Sequence, residues 1–127
     1  MKIKTTLPAK KAVAQIVKDY RNLHSDSTRP STLRAFASAL SEALAPFNRN
    51  ISYQSIKNWC DRRYLPDPFI MLQIAQSARH DWRADFAKDI LAAVMPEIYQ
   101  PATEIGRRAL QEHGGDLELS RSAAQSN

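Results

Sequence analysis

The 127-residue sequence holds one cysteine, three glycines and three histidines, and its uninterrupted apolar runs extend over only a few residues, such as Phe69 to Leu72. Each scarcity excludes something. A lone Cys60 cannot form an internal disulfide, so no disulfide framework supports the chain, and the expected location is the reducing cytoplasm. Apolar runs this short fall well below the roughly 20 residues that cross a bilayer, which excludes a membrane span. The N-terminal Lys2 and Lys4 lead into a helical pattern containing Lys10, Lys11 and Lys18 instead of an apolar signal core, so export is not expected. Cys60, His24, His80 and His113 stand singly, without C-x-x-C or H-x-x-x-H spacing, and offer no metal site. No glycine-rich phosphate loop, nucleophile elbow or paired histidine and acid appears, so neither a cofactor nor catalysis is expected.

What remains is a helical pattern. Hydrophobic residues make up 43% of the chain, enough for one core. Pro8, with Thr6 before it, sits where a first helical residue tolerates proline, and Ala12, Val13, Ile16, Val17, Tyr20 and Leu23 recur at helical spacing, predicting a helix over 8–23. The polar stretch HSDSTRPS reads as a loop. Ser31 or Thr32 caps a second helix, whose stripe of Leu33, Phe36, Ala37, Leu40 and Leu44 stops before Pro46. The segment APFNRN reads as a long turn. Ser52 then caps a third helix, with Ile51 and Ile56 placed as a hydrophobic staple. Asp67 followed by Pro68 starts a fourth, with Phe69, Leu72, Ile74, Ala75 and Ala78 expected in the core. Asp81 caps a fifth helix carrying Trp82, Phe86, Ile90, Leu91 and Val94, interrupted by Pro96. A short helix is expected over 103–112, stopped by Gly114 and Gly115, with a disordered polar tail after it. The expected fold is all-α: a compact five-helix bundle over 1–100, then a short additional helix and flexible tail over 101–127.

Charge is unevenly distributed. Residues 1–64 hold 12 Lys or Arg against 4 acids, a net +8, whereas 65–127 hold 6 against 9, a net −3. Basic side chains ordinarily just solvate helix faces, but this asymmetry also fits one half facing a polyanion. In the third helix the Ile56 and Trp59 spacing directs Gln54, Ser55, Lys57, Asn58 and Arg62 outward, leaving an amide-rich, basic face. Trp59 is expected in the core, and Tyr53 either packs on a sugar or shields Ile56.

The segments TLRAFASALSEAL, ISYQSIKNWCDRRYLPDP and FIMLQIAQSA together resemble the Cro/CI-type (XRE-like) helix-turn-helix family over about half the chain. Phe36, Ala37 and Leu40 sit where that family has its apolar-Ala-x-x-Leu core. Ile51, Ser52, Ile56 and Trp59 match its recognition-helix pattern, and Trp59 and Pro66 keep its spacing to the following proline. There are departures. Leu33 stands where many members have glutamine, Ala45 to Asn50 is longer than the usual turn, and Cys60 and Arg62 replace an acid and a glycine.

The resemblance implies a small transcriptional regulator of bacterial or phage type, a repressor, binding double-stranded DNA with helix 52–62 in the major groove. Gln54, Ser55, Lys57 and Asn58 are then the expected base contacts. Thr32, Arg34, Arg49, Tyr53, Arg62 and Arg63 are the expected contacts to the DNA backbone. A few base pairs are all that one such unit reads, so a homodimer through helix five and the C-terminal segment is the expected assembly, with Met95, Ile98 and Tyr99 either in that interface or packed within one chain. The alternative is a protein-interaction module on the same scaffold, docking a transcription or phage factor. RNA binding is a weaker option, because aromatic stacking motifs and a GXXG loop are both missing.

Overall fold

A computed structural model describes residues 2–23 and 32–113. Six helices follow one another: α1 (Lys2–Leu23), α2 (Leu33–Leu44), a 3₁₀ turn (Ala45–Phe47), α3 (Tyr53–Cys60), α4 (Pro68–Ser77), α5 (Trp82–Val94) and α6 (Glu104–His113). Among the described residues there is no strand, and no helix is long and apolar enough to cross a membrane. The loop expected at HSDSTRPS, the Ser31 cap, the Gly114–Gly115 stop and the tail lie outside the described residues.

Side-chain caps begin four of the helices, because each supplies an acceptor to a backbone N–H that the helix itself leaves unpaired. Thr32 accepts from the Ala35 amide at 3.0 Å, Ser52 from Ser55 at 3.2 Å, Asp67 from Phe69 at 2.9 Å and Asp81 from Arg83 at 3.0 Å. The first helix differs from expectation: it begins at Lys2 and carries Pro8 inside. Proline's fixed φ is compatible with a helix, and what is lost there is the hydrogen bond its missing N–H would have made.

Helix α5 is the centre of the core. Phe86 meets Tyr20 of α1 at 5.3 Å and Phe36 of α2 at 5.2 Å between ring centroids, both edge to face, the arrangement that ring quadrupoles favour. Arg83 ties the start of α5 to α2, donating to the Ala39 carbonyl at 2.8 Å while pairing with Asp81 at 2.7 Å. Most of α5 is buried, including Ala84, Phe86, Ala87, Ile90 and Leu91. Little of α5 is therefore left as outer surface, while Ile98, in the segment after it, is 64% exposed.

Two expectations need correction. Phe69 and Leu72 of α4 face solvent, at 57% and 40% exposure, while Met71, Ile74 and Ala78 take the core positions. The run Phe69-Ile70-Met71-Leu72 is apolar all round, so periodicity alone leaves the helix rotation open and packing against α5 decides it. Secondly, α6 is no appendage beyond residue 100. It packs on α1 and α5, and Gly106 and Ala109 are buried there.

The link between α6 and the bundle is Asp89, the one buried charged or polar side chain among the described residues. Its Oδ1 accepts the backbone N–H groups of Ala102 at 2.7 Å and Thr103 at 3.1 Å. Its Oδ2 accepts the Tyr20 hydroxyl at 2.7 Å and the Thr103 hydroxyl at 2.6 Å. Four donors thus replace the water that a carboxylate loses on burial. Burial, reinforced by the neighbouring carboxylate against a pull from Thr103, holds the Tyr20 phenol well above its ordinary pKa, so it remains a donor.

This network also explains a glycine in the first turn of α6. A Cβ on Gly106 would collide with the Asp89 carboxylate, Oδ1 first, far inside contact distance. Helix propensity alone favours Gly106→Ala by about 1 kcal/mol. The expected sign is the opposite, a loss of roughly 1–3 kcal/mol from overpacking against a carboxylate held by four donors. Urea unfolding measures it, and a stabilised alanine variant would mean that Asp89 moves aside freely.

Candidate nucleic-acid interface

Helix α3 has eight residues, too few to be stable alone, so its position is set by what it packs against. Ile56 is fully buried and Trp59 nearly so, and Ile51 before the cap is also in the core. Ser41 of α2 adds a polar clamp. Its hydroxyl accepts the Ile51 N–H at 2.9 Å and donates to the Ile51 carbonyl at 3.1 Å, holding the backbone just before α3. The long turn between the two helices is resolved by a 3₁₀ turn ending at Asn48, whose φ of 58° is left-handed. Asparagine tolerates that conformation better than most residues with a Cβ.

With Ile56 and Trp59 inward, Tyr53, Gln54 and Lys57 are exposed. Gln54 Nε2 donates to Asn58 Oδ1 at 3.2 Å. The linked amides leave Gln54 Oε1 as an acceptor and Asn58 Nδ2 as a donor for an outside partner. Asn58 and Ser55 are half-buried on the flank facing Tyr64 and the start of α4. The Ser55 hydroxyl lies 3.3 Å from that of Ser52, so it is the least available of the four expected base contacts.

Lys57 pairs with Asp61 at 2.8 Å, one helical turn on. That hydrogen bond raises the lysine pKa and lowers the aspartate's. Both side chains are solvated, and exposed pairs of this kind contribute little, so the lysine remains free to swing to another anion. Asp61 is nevertheless a carboxylate on the outer face, a feature that reading the helix for amides and bases missed.

The expected backbone-contacting residues surround α3. The Arg34 guanidinium lies 4.6 Å from the Tyr53 ring centroid, so these two form one exposed cationic-aromatic unit at the start of α3. Arg49 lies over Phe69 at 5.7 Å. Thr32, Arg62 and Arg63 are exposed, but the Thr32 hydroxyl oxygen is engaged as the α2 cap.

Arg62 has φ 61°. Its N–H donates to the Trp59 carbonyl at 3.2 Å and the Arg63 N–H to the Asn58 carbonyl at 2.9 Å. This is a Schellman ending with arginine at the position where glycine is favoured. Arg62→Gly is therefore expected to stabilise the fold by about 1 kcal/mol by relieving the left-handed strain, less the extra freedom glycine gives the unfolded chain. A lower denaturation midpoint in that variant would show that the arginine side chain contributes more to folding than its backbone costs.

Among the described residues no three His, Cys, Asp or Glu side chains gather as a metal site. Burial raises the Cys60 pKa. Compared with protein-family models, with curated proteins and with solved structures, the chain gives no match to any of the three.

Proposed function

We propose that this protein is a small regulatory protein of bacterial or phage type that binds double-stranded DNA in a sequence-specific way, with α2 and α3 acting as a helix-turn-helix and α3 lying in the major groove. One observation carries the reading: α3 is anchored by Ile56 and Trp59 while Gln54 and Lys57 are exposed and the Gln54 amide is joined to that of half-buried Asn58 at the edge of the same side. An acceptor and a donor presented together complement adenine, whose N6 amino group donates and whose N7 accepts. Arg34, Arg49, Arg62 and Arg63 flank that side and supply the phosphate contacts that give affinity without a sequence code.

Selection of bound sites from random duplex DNA, followed by a salt titration, tests this. Affinity is expected to fall steeply with salt as counterions are displaced from several phosphates. Replacing exposed Gln54 with Ala removes no charge and no core contact, and replacing half-buried Asn58 removes no charge, so non-specific binding should stay near wild type in both, with matching thermal melts establishing that the Asn58 variant folds. Discrimination of the selected site against random DNA should fall by about tenfold or more, the 1–3 kcal/mol of a bidentate contact. Lys57→Ala should weaken both kinds of binding. Unchanged discrimination in both folded amide variants would sink the proposal.

A second reading has its own observation. Tyr64, Phe69 and Leu72 are exposed near α3 and α4, and apolar side chains grouped on a surface are what a protein partner covers. In that reading the scaffold docks a transcription or phage factor, and variants of Phe69 and Leu72, not of Gln54 and Asn58, are the ones that abolish activity.

A further inference from the structure

A groove of about 430 Å³ runs between α1, the end of α3 and the end of α6. Lys11, Lys18 and Arg21 line it from α1, Arg62 from the turn after α3, and His113 from α6. No acid among the described residues lines it, although the Glu112 carboxylate lies 3.8 Å from the His113 imidazole and Arg21 is hydrogen-bonded to Cys60 within the groove; Asp19, the acid on that stretch of α1, is held by the Gln15 amide at 2.9 Å. Small or short residues, Ala14 and Cys60, leave the space open. The groove therefore concentrates positive charge in an open recess of about 430 Å³.

The spacing selects among anions. Seven residues separate Lys11 from Lys18 and three separate Lys18 from Arg21, so the cations extend over about 15 Å of α1 at 1.5 Å per residue. A single phosphate engages only part of that row, whereas two or three linked phosphates can span it. Direction argues against the duplex as occupant. Cys60 lies about 120° around α3 from Gln54, so DNA read by the Gln54 face does not seat itself in a recess floored by Cys60 and bounded by α6.

We propose that this groove binds a small molecule carrying two or more linked phosphates, as a site distinct from the outer face of α3. Arg62 joins the two regions, because it belongs both to the groove and to the basic rim of α3. A ligand in the groove competes for that guanidinium and weakens its hold on a nucleic-acid phosphate.

Calorimetric titration of the full chain with inorganic triphosphate at constant ionic strength tests the site. Saturable one-to-one binding is expected, weakened at least tenfold by the double substitution Lys11→Gln and Lys18→Gln and unchanged by Lys88→Gln, an exposed lysine of α5. Matching thermal melts establish that these surface variants fold. Absence of saturable binding, or equal affinity in the double variant, overturns the proposal. Duplex DNA titrated into the same variants separates it from the DNA reading. If the double variant loses DNA affinity while triphosphate never saturates the wild type, the row is a track for the DNA backbone and the small-molecule site is refuted. If triphosphate binds and DNA does not, the groove stands and the DNA reading fails.

Discussion

Asp89→Ala is expected to cost about 3–5 kcal/mol of folding stability, because it strips four donors of their shared acceptor inside the protein. The Tyr20 and Thr103 hydroxyls and the Ala102 and Thr103 amides all terminate on that carboxylate. A domain of this size has only about 5–15 kcal/mol to lose. Urea unfolding followed by circular dichroism gives the value. Asp89→Asn should lose less, since its carbonyl can still accept the two backbone N–H groups while its amide faces the two hydroxyls. Tyr20→Phe should cost about 1–2 kcal/mol, and the double variant with Asp89→Ala should cost less than the sum, as expected for directly bonded partners. A chain ending at residue 100 should behave like Asp89→Ala or worse, because it removes three of the four donors together with α6. An Asp89→Ala variant within 1 kcal/mol of wild type would show that the carboxylate is solvated and that α6 is only loosely attached.

Trp59→Ala is expected to be comparably severe, about 3–5 kcal/mol, through the cavity it leaves and the loss of transfer free energy. The effect should be larger in consequence than in size. Eight residues of α3 hold their place through Ile51, Ile56 and Trp59 and through the Ser41 clamp, so removing the indole should loosen the whole outer face together. Trp59→Phe should recover a large part of the stability by refilling the space with another ring. Thermal unfolding with fluorescence from the remaining Trp82 measures both variants. Unchanged melting in Trp59→Ala would mean that the indole is not an anchor and that α3 is rotated from the orientation that presents Gln54. It would then be the amide face, and with it the proposed contact with DNA, that has to be reassigned.

How far these features could be read in advance varies from element to element. The capped starts at Ser52, Asp67 and Asp81 were legible, and that of α2 was legible to within one residue, Ser31 or Thr32, because a cap is a bond between a side chain and an amide two or three residues away. The staple of Ile51 and Ile56 was legible for the same reason. The inward turn of Trp59 followed from its three-residue spacing to Ile56, and with it the exposure of Gln54 and Lys57, but not that Ser55 and Asn58 are half-buried against the segment leading into α4. The rotation of α4 was not, since four consecutive apolar residues satisfy more than one facing. Nor was the role of Asp89, because in sequence it is one more acid on a charged helix. Only the convergence of Tyr20, Ala102 and Thr103, from 69 residues before it and 13 to 14 after it, turns it into a buried staple.

What the sequence determined by itself is therefore whatever depends on near neighbours along the chain: an all-helical chain, the positions of its capped helix starts, the side of α3 that faces inward, and a basic first half. Tertiary structure alone decided which face of α4 is covered, why Gly106 lacks a side chain, that α6 belongs to the bundle, and that cations from α1, α3 and α6 line one groove. The physical reason is range. Helix hydrogen bonds and caps act over two to four residues and leave a periodic trace, whereas a buried carboxylate or a converging row of cations is an encounter between distant segments whose packing no local pattern records.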